Sequence, residues 1–290
     1  MVMKEETVLP RIHDAELLYN RAVAPGLFRM RVHCAAVARQ AWPGQFIMLQ
    51  VSDHTDPLLR RPFSLCGTDG ETLEILYRVA GRGTAIMTAW KEQQAVHLIG
   101  PLGKGFTIPD GLKTAFLVAG GIGIAPLLFL LQHLDTQQQV TGKKIFLGGK
   151  TGDDIRVLED FRPLPADIFI AAEDGAAGFH GLVTDLFTGH IEQHAHQDLQ
   201  QAAIFSCGPP AMAQAVAAIA ARYGLACQLS LEATMACGFG ACLGCAVKTR
   251  PCAADDHAGA HARGSREFQY KRVCAEGPVF DSRELLWDDE

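Results

Sequence analysis

The first third of the chain alternates apolar and polar residues at the period of a half-buried strand. Leu27–Cys34 shows this alternation, Phe46–Val51 and Leu73–Val79 are further segments of strand length, and turn residues such as Ala24-Pro25-Gly26 separate them. This alternation is typical of strands with one face in a core and the other in solvent. Several short strands in succession therefore predict a small β-barrel or sandwich over residues 12 to about 108.

From about residue 112 the pattern changes to short, continuous apolar runs with helical stretches between some of them. Four runs have strand length: Ala115–Ala119, Ile145–Gly148, Ile168–Ala172 and Ala203–Cys207. The Ala-rich stretch Met212–Tyr223 follows Pro209-Pro210 and ends at Gly224, as expected for a capped helix. Alternation of strands and helices predicts an α/β domain with a doubly wound parallel sheet.

A glycine-rich turn follows the first apolar run and opens a helix. Its residues of interest are Gly120, Gly121, Gly123 and Pro126. Glycines let a backbone approach a pyrophosphate, and a helix N-terminus offers unpaired N–H groups and a positive dipole. Pro126 stands where the G-x-G-x-x-G pattern has its third glycine, so a turn that merely packs is the alternative. A second strand-to-helix turn, Cys207-Gly208-Pro209, is expected at the same carboxyl edge of the sheet, where ligands bind.

The uncharged segment Thr114–Gln132, which contains the glycine turn, can be interpreted as a membrane span or as a strand followed by a short helix. Its apolar content is compatible with a membrane span, which needs about 20 apolar residues. The glycines and the proline interrupt it, however. We therefore predict a strand, a glycine turn and a short buried helix.

Two further segments carry residues suited to a flavin dinucleotide. Arg61-Pro62-Phe63-Ser64 closes a barrel strand, with an arginine for a phosphate and a serine for a flavin ring edge. Tyr77-Arg78 and Gly83-Thr84 offer an aromatic face, a guanidinium group and a glycine at the start of a helix. Taken singly, such residues most often form a solvated surface.

The strongest signal is the C-x4-C-x2-C run of Cys237, Cys242 and Cys245. With one distant fourth cysteine, this is the plant-type [2Fe–2S] spacing. Thiolates are soft, strongly donating ligands that suit iron. A structural zinc site with four cysteines is the alternative, but it usually has paired C-x2-C knuckles and only one pair is present. The spacing leaves Cys252 and Cys274 open as the fourth ligand.

Size, charge and cysteine content narrow the class of protein. The chain has 290 residues, which predicts two domains, or two and a small module, at about 100–200 residues each. A net charge of −6 disfavours nucleic acid as a partner. The first six residues have no apolar core, so we predict no signal peptide and a cytoplasmic location. The nine cysteines are then thiols or metal ligands rather than disulfides.

Taken together, these motifs resemble the ferredoxin–NADP reductase superfamily, and more closely the electron-transfer subunits of class B dihydroorotate dehydrogenases. Four segments carry the resemblance: Arg61–Ser64, Gly120–Pro126, Ser230–Cys245 and Arg272–Phe280. The resemblance implies an FAD-binding β-barrel domain over 1–110, an NAD-binding α/β domain over 111–230, and a [2Fe–2S] module over 231–290.

The resemblance also implies roles for individual residues. FAD is expected at Arg61, Pro62, Phe63, Ser64, Leu76, Tyr77, Arg78, Gly83 and Thr84. NAD is expected at Gly120, Gly121, Gly123, Pro126, Cys207, Gly208 and Pro209. The cluster is expected on Cys237, Cys242, Cys245 and Cys274, which leaves Cys252 as a spare thiol. The stretch 251–267 is longer than the family's usual connection.

The implied function is to carry electrons between an FMN-containing dihydroorotate dehydrogenase catalytic subunit and NAD⁺, through the cluster and FAD, in pyrimidine (UMP) biosynthesis. No residue here is predicted to abstract a proton from dihydroorotate. We therefore expect half of an enzyme, a heterotetramer of two of each chain, with the cluster module facing the partner. Asp153 and Asp154 would repel a 2′-phosphate and favour NADH, although Lys150 is close.

Two other hypotheses stay open from the sequence. One is a diaphorase subunit of another redox complex, of the bifurcating transhydrogenase or the sulfite or sulfhydrogenase type. The other is a non-enzymatic, zinc-stapled nucleotide-binding module. A visible spectrum separates the second from the redox proteins, because a zinc protein is colourless.

Overall fold

The computed structural model describes residues 11–161, 163–194, 199, 201–251 and 267–287. Its N-terminal part is a closed six-stranded barrel with the strand order β1-β2-β5-β4-β3-β6. The strands are β1 (Ile12–Ala24), β2 (Leu27–His33), β3 (Phe46–Leu49), β4 (Arg61–Thr68), β5 (Thr72–Arg78) and β6 (Ala95–Leu102). Two short helices connect them, α1 (Ala35–Ala38) and α2 (Arg82–Met87). The predicted β-barrel is confirmed.

The second part is a seven-stranded sheet with helices around it. Its elements are β7 (Thr114–Gly120), α3 (Ile124–Asp135), β8 (Gly142–Gly149), α4 (Gly152–Arg156), β9 (Asp167–Ala172), β10 (Phe179–His180), α5 (Val183–His194), β11 (Ala202–Cys207), α6 (Pro210–Tyr223), β12 (Ala226–Ser230) and β15 (Val279–Asp281). The strand order is β10-β9-β8-β7-β11-β12-β15, and all neighbours are parallel except β12 and β15. The predicted doubly wound sheet is confirmed.

Local sequence explains where the best-predicted elements begin and end. Helix α6 has Pro210 in its first turn, where a missing N–H costs nothing, and it stops at Gly224 in the left-handed conformation with φ of 66°. Every residue of β11 is buried, as expected for a central parallel strand covered on both faces. Segment Thr114–Gln132 forms β7 and most of α3, as predicted. None of the helices that the structure describes is long and apolar enough to cross a membrane.

The C-terminal segment connects the two larger parts. Strands β13 (Ala246–Thr249) and β14 (Gln269–Arg272) form a two-stranded sheet. The following β15 covers the open edge of β12, and its Val279 and Phe280 are buried. Just before β15, the Lys104 N–H donates to the Gly277 carbonyl at 2.5 Å. Residues 277–281 thus contact the barrel and include the last strand of the sheet. The sequence analysis had placed these residues in the separate C-terminal module.

Candidate dinucleotide and iron–sulfur sites

A cavity of about 620 Å³ opens at the carboxyl edge of the parallel sheet. Strand register brings the ends of its strands level, with these pairs: Cys207 with Ala119, Gly120 with Gly148, and Gly149 with Ala172. The lining comprises Arg78, Gly120, Gly121, Ile122, Gly148, Gly149, Lys150, Asp154, Glu173, Gly181, Leu182, Val183, Thr184, Pro209, Ala211, Met212, Ala215 and Glu232. Its size and position are typical of a nucleotide site in an open α/β sheet.

The predicted NAD residues divide into a lining group and a supporting group. Gly120, Gly121 and Pro209 line the cavity. Pro126 is buried in the first turn of α3, outside the lining. Three others, Gly123, Cys207 and Gly208, form the contact between the two strand-to-helix turns behind it. Burial raises the pKa of the Cys207 thiol to about 12, so this thiol is uncharged at neutral pH.

Gly123 is fixed by packing rather than by backbone conformation. Its φ of −60° suits any residue. A Cβ at Gly123, however, would overlap the Cys207 carbonyl oxygen and lie 2.9 Å from the Gly208 nitrogen. Because both obstacles are backbone atoms, neither can move aside alone. The close contact of these turns therefore requires glycine at this position.

We expect Gly123→Ala to lower the free energy of unfolding by about 1–3 kcal/mol, the usual cost of overpacking. Urea denaturation measures this, and titration with NAD⁺ reports the accompanying loss of affinity. Gly189→Ala is the matched control, because a Cβ there meets nothing within 4 Å and alanine favours the interior of a helix by up to about 1 kcal/mol. Equal stability of Gly123→Ala and wild type would contradict this account.

The two acidic residues that the sequence analysis placed near the nucleotide, Asp153 and Asp154, both have partners within the protein. Asp154 accepts a 2.5 Å hydrogen bond from Arg78 of the barrel and others from the N–H groups of Lys150 and Thr151. Partial burial opposes its ionisation, but the bonds from Arg78 and Thr151 hold the Asp154 pKa below its ordinary value. Asp153 lies outside the lining, 3.5 Å from Arg156. Neither acid therefore presents an unpaired carboxylate to a nucleotide.

The predicted flavin residues lie on β4, on β5 and at the start of α2. A Cβ placed on Gly83 would lie 3.1 Å from Arg61 Nε and 3.5 Å from Cζ. The Arg61 guanidinium therefore lies directly against the first turn of α2. Its N–H groups are donors of the kind that bind a pyrophosphate in two places at once. Five of the predicted residues are half-buried and offer contact to a ligand: Arg61, Pro62, Ser64, Arg78 and Thr84.

Three of the predicted flavin residues, Leu76, Tyr77 and Thr84, make their packing contacts and hydrogen bonds within the barrel domain. The Tyr77 ring stacks on Phe28 at 5.4 Å and meets the edge of Phe63 at 5.9 Å. Its hydroxyl donates to Asn20 at 3.0 Å, and burial raises the Tyr77 pKa to about 12. The aromatic face expected at Tyr77 is thus covered by protein, and Leu76 is equally buried. The Thr84 hydroxyl accepts from the N–H groups of Ala80 and Gly81, which caps α2.

Four cysteines meet where the loop between β12 and β13 contacts the residues after β14. Backbone N–H groups point at their sulfurs: Gly240 donates to Cys274 Sγ at 3.1 Å, Ala241 to Cys237 Sγ at 3.3 Å, and Cys274 to Cys245 Sγ at 3.4 Å. Burial opposes ionisation of Cys237, but N–H groups led by that of Phe239 lower its pKa to about 6. Donors aimed at sulfur stabilise thiolate, the form that binds metal.

The thiols contact each other in two pairs, Cys237 with Cys242 and Cys245 with Cys274. No group of three or more metal-binding side chains among the residues described converges on a single ion. Two pairs fit a binuclear cluster, in which each iron takes two protein ligands. Cys252 lies outside the described residues, as does nearly all of the 251–267 stretch.

The loop that carries the first three cysteines is shaped by glycine and held by arginine. Gly238 and Gly240 have φ values of 81° and 89°, a conformation that other residues rarely adopt. Arg272 donates to the Gly240 carbonyl at 2.7 Å and forms an ion pair with Glu276. A Cβ on Gly238 would overlap the Met48 side chain. The loop therefore packs directly on strand β3 of the barrel.

Sequence reasoning missed several residues of the dinucleotide cavity, among them Glu173, Thr184, Met212 and Glu232. They follow β9, β10, β11 and β12, and each therefore lies beyond the carboxyl end of a strand. The strand order needed to bring them together is not visible in the sequence. The available signal was an acidic residue directly after an apolar run, as at Glu173.

Comparisons with known proteins agree with this geometry. Residues 117–218 match the oxidoreductase NAD-binding domain family, and residues 232–286 match the iron–sulfur cluster binding domain of dihydroorotate dehydrogenase B. Among solved structures, an NADH-dependent reduced ferredoxin–NADP oxidoreductase superposes with a TM-score of 0.76 at 23% identity, covering 98% of this chain and 92% of the other. A ferredoxin–NADP⁺ reductase from Neisseria gonorrhoeae gives 0.63 at 18% identity, covering 73% and 92%.

The fold is that of the ferredoxin–NADP reductases, and an iron–sulfur cluster binding domain follows it in the chain. The relatives are more specific. The electron-transfer subunit of dihydroorotate dehydrogenase B (NAD(+)) from Desulforamulus reducens is 37% identical over 97% of this chain and 100% of its own length. That of Caldanaerobacter subterraneus is 36% identical over 94% and 98%. The chain belongs to the family of electron-transfer subunits of dihydroorotate dehydrogenase B, as the sequence predicts.

Proposed function

We propose that this chain passes electrons between an FMN-containing dihydroorotate dehydrogenase and NAD⁺, holding one FAD and one [2Fe–2S] cluster. One observation carries the proposal. Gly238, next to Cys237, packs against Met48, and Met48 is paired with Pro62 of the predicted flavin segment across β3 and β4. The cluster loop thus lies one strand away from that segment, which supports a direct connection between the two cofactor sites.

Each group has residues suited to it. Arg61, Pro62, Ser64 and Gly83 would hold FAD, with the Arg61 guanidinium beside the pyrophosphate. The cluster would be held by Cys237, Cys242, Cys245 and Cys274, which have N–H donors directed at three of their sulfurs. A bound FAD would supply both two-electron chemistry toward a nicotinamide and one-electron chemistry toward an iron–sulfur centre. The protein's part is to bind, to orient and to exclude water.

The surface beside the cluster suits a protein partner. Phe239 and Leu243 are 45% and 63% exposed, and they flank the exposed Cys242 on the outer side of the loop. Large apolar side chains in contact with water around a redox site are typical of an interface. We propose that the FMN-containing catalytic subunit covers this surface, here called the cluster face and defined by Phe239, Cys242 and Leu243. A heterotetramer of two of each chain and a cytoplasmic location stay predictions.

Anaerobic co-purification from the native cells tests the proposal. The pooled protein is assayed for dihydroorotate-dependent reduction of NAD⁺, for FMN, FAD, iron and sulfide, and for NADH-dependent dye reduction. Orotate formation with an FMN-containing partner would support the proposed function. Dye reduction without orotate formation would assign the chain to another redox complex, to be named from the co-purified subunits. A colourless protein that contains zinc would contradict the redox function itself.

A further inference from the structure

The loop that carries the first three cluster cysteines is bound by one charged pair, Arg272 and Glu276. Arg272 is the last residue of β14, two residues before Cys274, and its Nη1 donates to the Gly240 carbonyl at 2.7 Å. The Gly240 N–H in turn donates to Cys274 Sγ at 3.1 Å. Gly240 alone therefore links the guanidinium to the sulfur of a predicted cluster ligand.

Glu276 fixes the orientation of this guanidinium. Its carboxylate accepts from Arg272 Nε at 3.0 and 3.2 Å, from Nη2, and from the Arg272 backbone N–H at 2.7 Å. Because Nε and Nη2 are bound to the carboxylate, Nη1 is left to bind Gly240. The two side chains are 36% and 32% exposed. Their charges therefore lie at the boundary between the loop and water, where screening by solvent is incomplete.

A fixed charge at this position acts on the reduction of a cluster held by the loop. A cluster on four thiolates is anionic, and the uptake of an electron makes it more so. Net charge and hydrogen bonds to the sulfurs are among the properties that set the reduction potential of such a cluster. A guanidinium beside the loop and an N–H directed at Cys274 Sγ both stabilise the reduced form, whereas a carboxylate at the same place opposes it.

We propose that Arg272 is a positioning residue that raises the reduction potential of the cluster, through its charge and through the Gly240 N–H that it directs at Cys274, and that Glu276 offsets part of this effect. Each electron that the cluster gains is lost by the flavin of the catalytic subunit and is then passed to FAD. The charged pair sets the balance between these two steps. This inference rests on the proposed function, because it places a cluster on these cysteines.

The test uses the full chain, purified anaerobically with its cluster and FAD, and a redox titration followed by visible absorbance and electron paramagnetic resonance. Glu276→Gln removes a negative charge and keeps Arg272, so the potential should rise. Arg272→Gln leaves the carboxylate unpaired beside the loop, so the equilibrium constant for reduction should fall by at least about tenfold, which is about 59 mV for one electron. Arg272→Lys keeps the charge and should lower the potential less.

Arg283→Gln is the matched control. Arg283 also forms an ion pair in the C-terminal module, with Asp281 at 2.5 Å, but that pair is on β15 rather than beside the loop. The potential of this variant should equal that of wild type. A shift equal to that of Arg272→Gln would overturn the inference, since the net charge of the module would then explain the effect.

The remaining outcomes separate this inference from the function beneath it. Opposite shifts in Glu276→Gln and Arg272→Gln would support a charge effect, because a loosened loop would move both potentials in the same direction. Unchanged potentials, or shifts of the same sign, would overturn the role of the pair and leave the proposed function intact. If Arg272→Gln holds no iron, the rise expected of Glu276→Gln still decides the question. A wild type without a cluster would refute the proposed function, and this inference with it.

Discussion

Cys242→Ser is expected to abolish dihydroorotate-dependent NAD⁺ reduction while NADH-dependent dye reduction continues. Serine is a poor ligand for iron at a thiolate site, so the visible absorbance of the cluster should be lost. Mutating a residue that hydrogen-bonds a metal ligand typically lowers metal affinity or activity about 10–100-fold. Loss of a ligand itself should therefore lower dihydroorotate-dependent activity by more than about 100-fold. Dye reduction needs only the nicotinamide and flavin sites, which lie outside the cluster loop. Assays of the complex, with FAD and iron contents, measure both activities.

The remaining cysteines supply the controls and decide the fourth ligand. Cys274 receives the Gly240 N–H and pairs with Cys245. We therefore expect Cys274→Ser to behave like Cys242→Ser, and Cys252→Ser to behave like wild type. Loss of FAD together with the cluster in Cys242→Ser would contradict the separation of the two sites. Loss of the cluster in Cys252→Ser would assign the fourth ligand to that residue instead.

Sequence patterns located the central elements of the fold but not their order. Strands β7, β8, β9 and β11 were predictable because central parallel strands are covered on both faces and read as apolar runs. Barrel strand β1 was not, since it runs over 13 residues with an irregular pattern and two register shifts against β2. The antiparallel β15 was also not predictable, because three residues far along the chain carry too little pattern to indicate which sheet they join.

The candidate sites differ in how far the sequence defines them. The cluster depends on closely spaced residues of one chemical type, so C-x4-C-x2-C was sufficient to find three ligands. The dinucleotide cavity depends on strand order. Lys150, Glu173 and Glu232 line the same cavity because β8, β9 and β12 end at one edge of the sheet. Asp154 was identified from the sequence as an acidic residue near the nucleotide. Its hydrogen bond with Arg78, 76 residues away in the chain, could not be predicted.

Leu243→Asn is expected to weaken binding of the catalytic subunit without weakening the fold. Leu243 has a φ of 60°, a left-handed conformation that costs leucine about 1–2 kcal/mol and that asparagine adopts readily. The variant should therefore be as stable as wild type or more so. It removes the most exposed apolar side chain of the cluster face. Burying a leucine is worth about 1.5–3 kcal/mol, so the Kd for the partner should rise roughly 10- to 150-fold.

Leu58→Asn is the matched control, because Leu58 is 73% exposed on the barrel and is not part of the cluster face. Both variants are purified with the cluster and FAD, and binding of the separately purified catalytic subunit is measured by calorimetry. Urea denaturation compares their stabilities. A Leu243→Asn protein that keeps its colour and its dye reduction but binds the partner as tightly as Leu58→Asn does would show that the partner docks elsewhere. Ala241→Leu, added to Leu243→Asn, places an apolar side chain at a neighbouring exposed position. Recovery of affinity for the partner in this double variant would support contact through the cluster face, because apolar area would again be buried there.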